Sequence, residues 1–94
     1  WCPVLDMQLD DWKDSVLSFP TAGMLTTKHG ARAMLANGHG GSIIHLLSSA
    51  AHFGEASGAA YTAGKAALLN FSRSAAMDLA HAGIRVNTIT PCAM

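Results

Sequence analysis

The sequence predicts an α/β fold in which a small parallel sheet is covered by helices. Two short runs, residues 42–48 and 84–90, are apolar or rich in β-branched side chains, which is typical of strands. Two longer alanine-containing stretches, at about 21–36 and 59–81, have the spacing of apolar residues expected for helices. The order is helix, strand, helix, strand, and a strand–helix–strand unit with one crossover helix favours parallel strands.

The first helix is expected to begin within residues 9–14, where an aspartate is available as a cap and further carboxylates lie in the first turn. Pro20 lacks an N–H group and is therefore predicted to break, kink or restart the helix. The helical pattern resumes over residues 21–36. Asn37 and Gly38 supply the residue types that end helices in the left-handed conformation.

The second half of the chain is predicted to contain the sheet. The almost continuously apolar run of residues 42–48 is typical of a strand that is buried on both faces. Residues 49–58 form a loop of small and polar side chains, and the helix that follows is apolar on most sides until Gly83 ends it. Residues 84–90 then form the second strand, which Pro91 terminates.

Composition narrows the class of protein. The chain has 94 residues, of which 50% are hydrophobic and 13% charged, and six basic side chains balance six acidic ones. We therefore expect a single domain at most, without a basic surface for nucleic acid and without a membrane-spanning segment. Cys2 and Cys92 lack the spacing of metal ligands, so we expect free thiols, a cytoplasmic location and no metal site.

Three polar side chains are predicted to meet at one end of the sheet. Ser48 follows the first strand, while Tyr61 and Lys65 are four residues apart near the start of the second helix. Ligands of parallel sheets bind beyond the carboxyl ends of the strands, where this helix also begins. A free phenol has a pKa of about 10, and a nearby ammonium stabilises its ionised form, so this trio suits proton transfer at a carbonyl or alcohol. A surface Tyr–Lys pair and a capping serine are the alternatives.

The segment GSIIHLLSSAAHFGEASGAAYTAGKAALLNFSRSAAMDLAHAGIRVNTITP, residues 41–91, resembles the catalytic half of a classical short-chain dehydrogenase/reductase. It contains a Gly-x-Ile-Ile strand, the serine, Tyr-x-x-x-Lys, a helix of small residues and Gly-Ile-Arg-Val-Asn. The upstream segments DDWKDSV and LTTKHGARAML resemble the helix that precedes that strand. The resemblance covers about residues 9–92 and implies part of a Rossmann-like, doubly wound parallel sheet, with the N-terminal dinucleotide-binding half of the domain absent from residues 1–94.

The resemblance also implies a reaction. A hydride would pass between NAD or NADP and an alcohol or ketone, with Tyr61 as general acid/base and Ser48 orienting the carbonyl oxygen. Lys65 would stabilise the ionised Tyr61 and hydrogen-bond the nicotinamide ribose, and Pro91 and Cys92 would lie near the nicotinamide. The helices at about 20–36 and 59–81 would form the interface of a homo-oligomer.

The sequence departs from the family pattern at three places. A glycine-rich phosphate-binding turn after a strand is missing from residues 1–94, so we expect this stretch to be inactive by itself. Phe19 occupies the position at which the family usually has an asparagine that extends a proton relay, and Cys92 replaces a glycine after Pro91. Two other functions therefore stay open, a non-catalytic association module and an epimerase or dehydratase that uses the same Tyr61 and Lys65.

Overall fold

A computed structural model describes residues 1–91 and contains the predicted order of helices and strands. The helices are α1 (Leu9–Asn37) and α2 (Ala59–Leu79), and the strands are β1 (Gly41–Leu46) and β2 (Ile84–Ile89). Single 3-10 turns lie at Val4–Asp6, Ser49–Ala51 and Ala80–Ala82. The prediction of an α/β fold is thus confirmed. Within residues 1–91, no helix combines the length and the apolar character that crossing a membrane requires.

Helix α1 continues through Pro20, so the predicted break or restart of the helix there is wrong. Proline leaves the carbonyl of Val16 without its helical N–H donor, which normally weakens a helix. Here Gly64 of α2 lies against that position: a methyl group on Gly64 would be 3.1 Å from Val16 O and 3.2 Å from Ser15 O. Close packing of α2 against this turn therefore outweighs the local preference of proline.

The ends of α1 follow the predicted chemistry in part. Gln8 occupies the N-cap position and makes no capping hydrogen bond through its side chain, so the expected aspartate cap does not form. Asp10 and Asp11 do lie in the first turn, where the free N–H groups favour negative charge. Gly38 ends the helix at φ 74°, and its N–H reaches the carbonyls of Met34 and Leu35.

The two strands pair in parallel, as predicted, in a register that runs from Gly41 opposite Ile84 to Leu46 opposite Ile89. Ile43, Ile84 and Val86 are buried together with Ala31 and Ala75 of the helices. Both helices therefore cover the same face of the sheet.

The opposite face of the sheet is exposed, which contradicts the expectation of a strand buried on both sides. Ile44, Leu46 and Ile89 are 55%, 62% and 49% exposed. The apolar run reflects a sheet with two apolar faces, but residues 1–91 supply helices for only one of them.

His45 of β1 is a hydrogen-bonded core residue. It is buried, and its Nε2 lies 2.8 Å from Oγ1 of Thr27, a buried residue of α1. Burial lowers the pKa of His45, because the low-polarity surroundings disfavour the charged imidazolium. The pair links the first helix to the sheet through a polar contact inside an otherwise apolar layer.

Candidate functional site

Ser48 lies directly beyond the carboxyl end of β1. Its Oγ accepts a hydrogen bond from the N–H of Ala50 at 3.1 Å and thereby caps the short turn Ser49–Ala51. The capping alternative is thus real, but it uses only one lone pair of Oγ. The hydroxyl proton of Ser48 stays available for a second partner.

Tyr61 reaches Ser48 from the first turn of α2. The hydroxyl of Tyr61 is 3.5 Å from Ser48 Oγ, which is longer than the usual O–H···O separation of about 2.7 Å. Two oxygens at this separation can both contact a third oxygen placed between them. Tyr61 is half-buried, so its side chain is partly enclosed by the fold and partly accessible.

Lys65 lies one helical turn after Tyr61 on the same face of α2. Its Nζ is 5.9 Å from the centroid of the Tyr61 ring and donates to the carbonyl oxygen of Leu46 over 3.5 Å. Since Leu46 is the last residue of β1, the ammonium and the two hydroxyl groups gather at the same end of the sheet. The structure therefore brings Ser48, Tyr61 and Lys65 together.

Phe19 of α1 also belongs to this cluster. Its ring centroid is 4.2 Å from Lys65 Nζ, and its ring meets that of Tyr61 edge to face at 5.4 Å and 85°. From the sequence, Phe19 was only the residue that interrupts a family pattern. Its contact with Lys65 depends on how α1 packs on α2, and no local pattern signals that.

A cavity of about 570 Å³ opens beside the Tyr61 ring. Trp1 lines it and stacks on Tyr61 with a centroid distance of 5.4 Å and a tilt of 35°. Asp11 and Asp14 of α1 line it from the other side. The position of Trp1 next to Tyr61 could not be found from the sequence, in which the two residues are 60 positions apart.

Pro91 follows β2 at the same end of the sheet as Ser48, because the strands are parallel and Leu46 pairs with Ile89. The preceding Thr90 has its Oγ1 3.5 Å from Nε2 of His52, in the segment after Ser48. This contact joins the segments that follow the two strands, and no local sequence pattern signals it. Cys92, the fifth predicted site residue, lies outside the described residues.

Comparisons with known proteins agree with this architecture. The sequence model of the family described as short chain dehydrogenase matches residues 1–94. The chain is 37% identical over 90 residues to sorbitol dehydrogenase from Cereibacter sphaeroides. This match covers 95% of this chain and 35% of that protein.

Among solved structures, acetoin dehydrogenase from Enterobacter cloacae matches with a TM-score of 0.91 and 34% identity, over 96% of this chain and 36% of that one. A 4-hydroxyisoleucine dehydrogenase complexed with NADH and succinate matches with a TM-score of 0.88 and 29% identity, over 96% of this chain and 43% of that one.

The chain spans about a third of the length of the curated relatives that it matches. The family match nevertheless extends over all 94 residues, and the structural matches include both helices and both strands. The predicted Rossmann-like class is therefore confirmed. The chain belongs to the short-chain dehydrogenase family.

Proposed function

We propose that the protein containing this chain transfers a hydride between NAD or NADP and a small alcohol or ketone, with Tyr61 as the general acid/base. The observation that carries this proposal is the meeting of the Tyr61 and Ser48 hydroxyls, 3.5 Å apart, at the carboxyl end of β1. Both residues are half-buried, and Lys65 adds a positive charge near the Tyr61 ring. This combination suits protonation of an oxygen whose carbon is being reduced.

In the direction of reduction, the carbonyl oxygen of the substrate would lie between the two hydroxyls. Ser48 Oγ accepts from the N–H of Ala50, so its own proton can be donated to that oxygen. As the carbonyl carbon gains a hydride, Tyr61 would give its proton to the oxygen and form the alcohol. In the reverse direction Tyr61 would take that proton back.

Lys65 would stabilise the ionised Tyr61 that results from this transfer. An ammonium near a developing negative charge acts most strongly where water is partly excluded, and both side chains are half-buried. The contact with the Leu46 carbonyl uses one of the three N–H donors of Lys65. The charge and at least one further donor remain for partners in the cleft.

The donor set fits the nicotinamide end of the proposed cofactor. A nicotinamide dinucleotide supplies or accepts the hydride when it is bound, and the hydroxyls of its ribose match the free donors of Lys65. Pro91 lies at the same strand ends and would line the nicotinamide, with Cys92 next in sequence. A dehydrogenase of similar structure is complexed with NADH, which supports a nicotinamide cofactor without deciding between NAD and NADP.

In the proposed protein, catalysis and binding of the cofactor phosphates are carried out by different parts of one domain. Residues 1–94 would form the catalytic part of a single Rossmann-like domain, and the phosphate-binding glycine-rich turn would belong to another part of that domain. The exposed apolar face with Ile44, Leu46 and Ile89 supports this view, because a two-stranded sheet with one open face is rarely stable alone. The 94 residues by themselves are then expected to be inactive.

A homo-oligomer through α1 and α2 is part of the same proposal, as is a cytoplasmic location inferred from the unpaired spacing of the cysteines. Met24, Leu25 and Leu35 of α1 are 41%, 45% and 53% exposed, and a groove of about 350 Å³ runs between the two helices. Apolar residues on such a surface favour association with a second copy. Sedimentation of the whole protein as a monomer at micromolar concentration would contradict this assembly.

The reaction is tested by Tyr61→Phe in the whole protein. This change removes one hydroxyl and keeps the ring that packs on Trp1 and Phe19. We expect kcat to fall by about 10²- to 10⁴-fold, the usual contribution of a general acid/base, while the affinity for NAD(H) or NADP(H) changes little.

A matched pair of serine variants provides the control. Ser48→Ala is expected to lower kcat strongly, whereas Ser49→Ala, at the exposed neighbouring position, should have little effect. Full turnover by Tyr61→Phe would remove Tyr61 from its proposed role. A whole protein that binds the cofactor and oxidises or reduces nothing would favour the non-catalytic alternative.

A further inference from the structure

We propose that Phe19 is a positioning residue for Lys65, whose ammonium it holds over its aromatic face. This inference rests on the proposed function, since it concerns how Lys65 is kept where it can act on Tyr61. It gives Phe19 a role in the site, although in the sequence this residue is a departure from the asparagine usual in the family.

The geometry is that of a cation–π contact. Nζ of Lys65 lies 4.2 Å from the centroid of the Phe19 ring, well inside the limit of about 6 Å for such contacts. The same nitrogen is 5.9 Å from the Tyr61 centroid, so Phe19 is the nearer of the two rings. Phe19 and Tyr61 in turn pack edge to face. The three side chains therefore form one contiguous group.

The Phe19 ring is itself fixed by packing. It lies against the buried residues Leu47, Ala51 and Leu68. A methyl group on Gly64 would be only 3.1 Å from Phe19 Cδ2, so α2 also approaches the ring closely at Gly64. A ring packed against the buried cluster and against Gly64 offers Lys65 a fixed surface.

Hydrogen bonding alone holds Lys65 weakly. Among residues 1–91, the bond of Nζ to the Leu46 carbonyl spans 3.5 Å, which is long for an N–H···O contact. The face of Phe19 attracts the ammonium without offering a lone pair. One N–H can point to the ring and one to Leu46, which leaves the third for a hydroxyl group in the cleft. Phe19 thus supports the charge of Lys65 and keeps a donor free.

The inference is tested in the whole enzyme with Phe19→Leu, which removes the ring but keeps an apolar side chain, and Phe19→Tyr, which keeps the ring. Phe71→Leu is the matched control, because Phe71 packs on the same buried cluster and its ring lies beside His45. The first readout is the NMR signal of the ε-methylene protons of Lys65, assigned by Lys65→Arg. A ring beneath these protons shifts them upfield.

We expect this upfield shift in the parent protein, in Phe19→Tyr and in Phe71→Leu, and its loss in Phe19→Leu. In the kinetic assay, Phe19→Leu should lower kcat by about five- to thirty-fold, the range that a partly desolvated cation–π contact supports. The KM for the alcohol or ketone should stay within about two-fold, because Phe19 acts through Lys65 and Tyr61.

A second series guards against a variant that fails to fold. Phenylalanines with one, two or three ring fluorines at position 19 keep the shape of the side chain while they weaken the negative face of the ring. A stepwise fall of kcat with fluorination supports the inference, whereas an unchanged kcat overturns it. Phe19→Leu with the Lys65 signals of the parent would also overturn it.

The experiments distinguish a wrong role for Phe19 from a wrong proposed function. If Tyr61→Phe abolishes turnover and the Phe19 variants behave like Phe71→Leu, only the role of Phe19 is wrong. If the parent protein has no turnover, the reaction is wrong, and the NMR signals of Lys65 still decide whether Phe19 holds the ammonium.

Discussion

The buried contact between Thr27 and His45 is expected to contribute measurably to stability, and Thr27→Val removes it with little change of shape. Thr27 and His45 are 5% and 7% exposed, and Thr27 Oγ1 lies 2.8 Å from His45 Nε2. Valine replaces the hydroxyl with a methyl group of similar size and keeps the branched Cβ. His45 Nε2 is then left inside the protein without this partner.

An unsatisfied buried polar group costs about 1–3 kcal/mol. The added methyl group returns up to about 0.8 kcal/mol through burial of apolar surface. We therefore expect Thr27→Val to lower the free energy of unfolding by about 0.2–3 kcal/mol, with a central value of about 1.5 kcal/mol. Thr26→Val, the same change at the exposed neighbouring position, should stay within about 0.5 kcal/mol of the parent.

Urea unfolding of the whole protein measures both changes, and a double-mutant cycle with His45→Leu isolates the contact. In His45→Leu, the Thr27 hydroxyl can hydrogen-bond a carbonyl of its own helix. This single change therefore leaves fewer buried polar atoms without a partner than Thr27→Val does. The cycle should give a coupling of about 1 kcal/mol or more.

Two results would refute this reasoning about the contact. One is a Thr27→Val protein that is no less stable than Thr26→Val. The other is a coupling energy below about 0.5 kcal/mol, which is the range of independent sites. Either would mean that the hydroxyl and the imidazole do not depend on each other.

Two further predictions concern the same packed layer. Burial lowers the pKa of His45, so below about pH 6.5 the unfolded chain binds a proton that the folded one does not, and the free energy of unfolding should fall as the pH drops. His45→Gln should flatten this dependence in urea titrations between about pH 5 and 8, and an unchanged slope would contradict the assignment. Gly64→Ala should be less favourable than Gly30→Ala by about 1–3 kcal/mol, because a new methyl meets Val16 O at 3.1 Å in one case and Ile43 Cδ1 at 3.9 Å in the other. Thermal unfolding compares the two variants, and equal shifts in Tm would argue against the close approach of the helices.

Much of the site could be predicted because its members are tied together by short-range geometry. Tyr61 and Lys65 share a helix face at a spacing of four residues, and Ser48 follows a strand whose end faces the start of that helix. The structure places all three at one end of the sheet. Their roles in a reaction stay a prediction that the Tyr61 and Ser48 variants test.

The predictions from sequence were wrong where the structure of a residue depends on which other element packs against it. Pro20 was expected to interrupt α1 because proline lacks a donor, yet the turn lies against Gly64 and stays helical. Residues 42–48 were expected to be buried on both faces, but Ile44 and Leu46 are exposed where no helix of residues 1–91 covers them. Proline disfavours a helix, and an apolar strand favours burial, but the packing of neighbouring elements decides whether either tendency is followed.

Sequence alone determined the order of the elements, the parallel pairing and the group of Ser48, Tyr61 and Lys65, because periodicity and strand–helix connectivity act over a few residues or one crossover. Only the tertiary structure decided that Phe19 lies 4.2 Å from the ammonium of Lys65 and that Thr27 pairs with His45. Those contacts join α1 to residues 18 and 46 positions away. The contact of Phe19 depends on how α1 packs against α2, where Gly64 permits a close approach, and that of Thr27 on how α1 packs against β1. Packing between distant elements is not encoded by any single stretch of the chain.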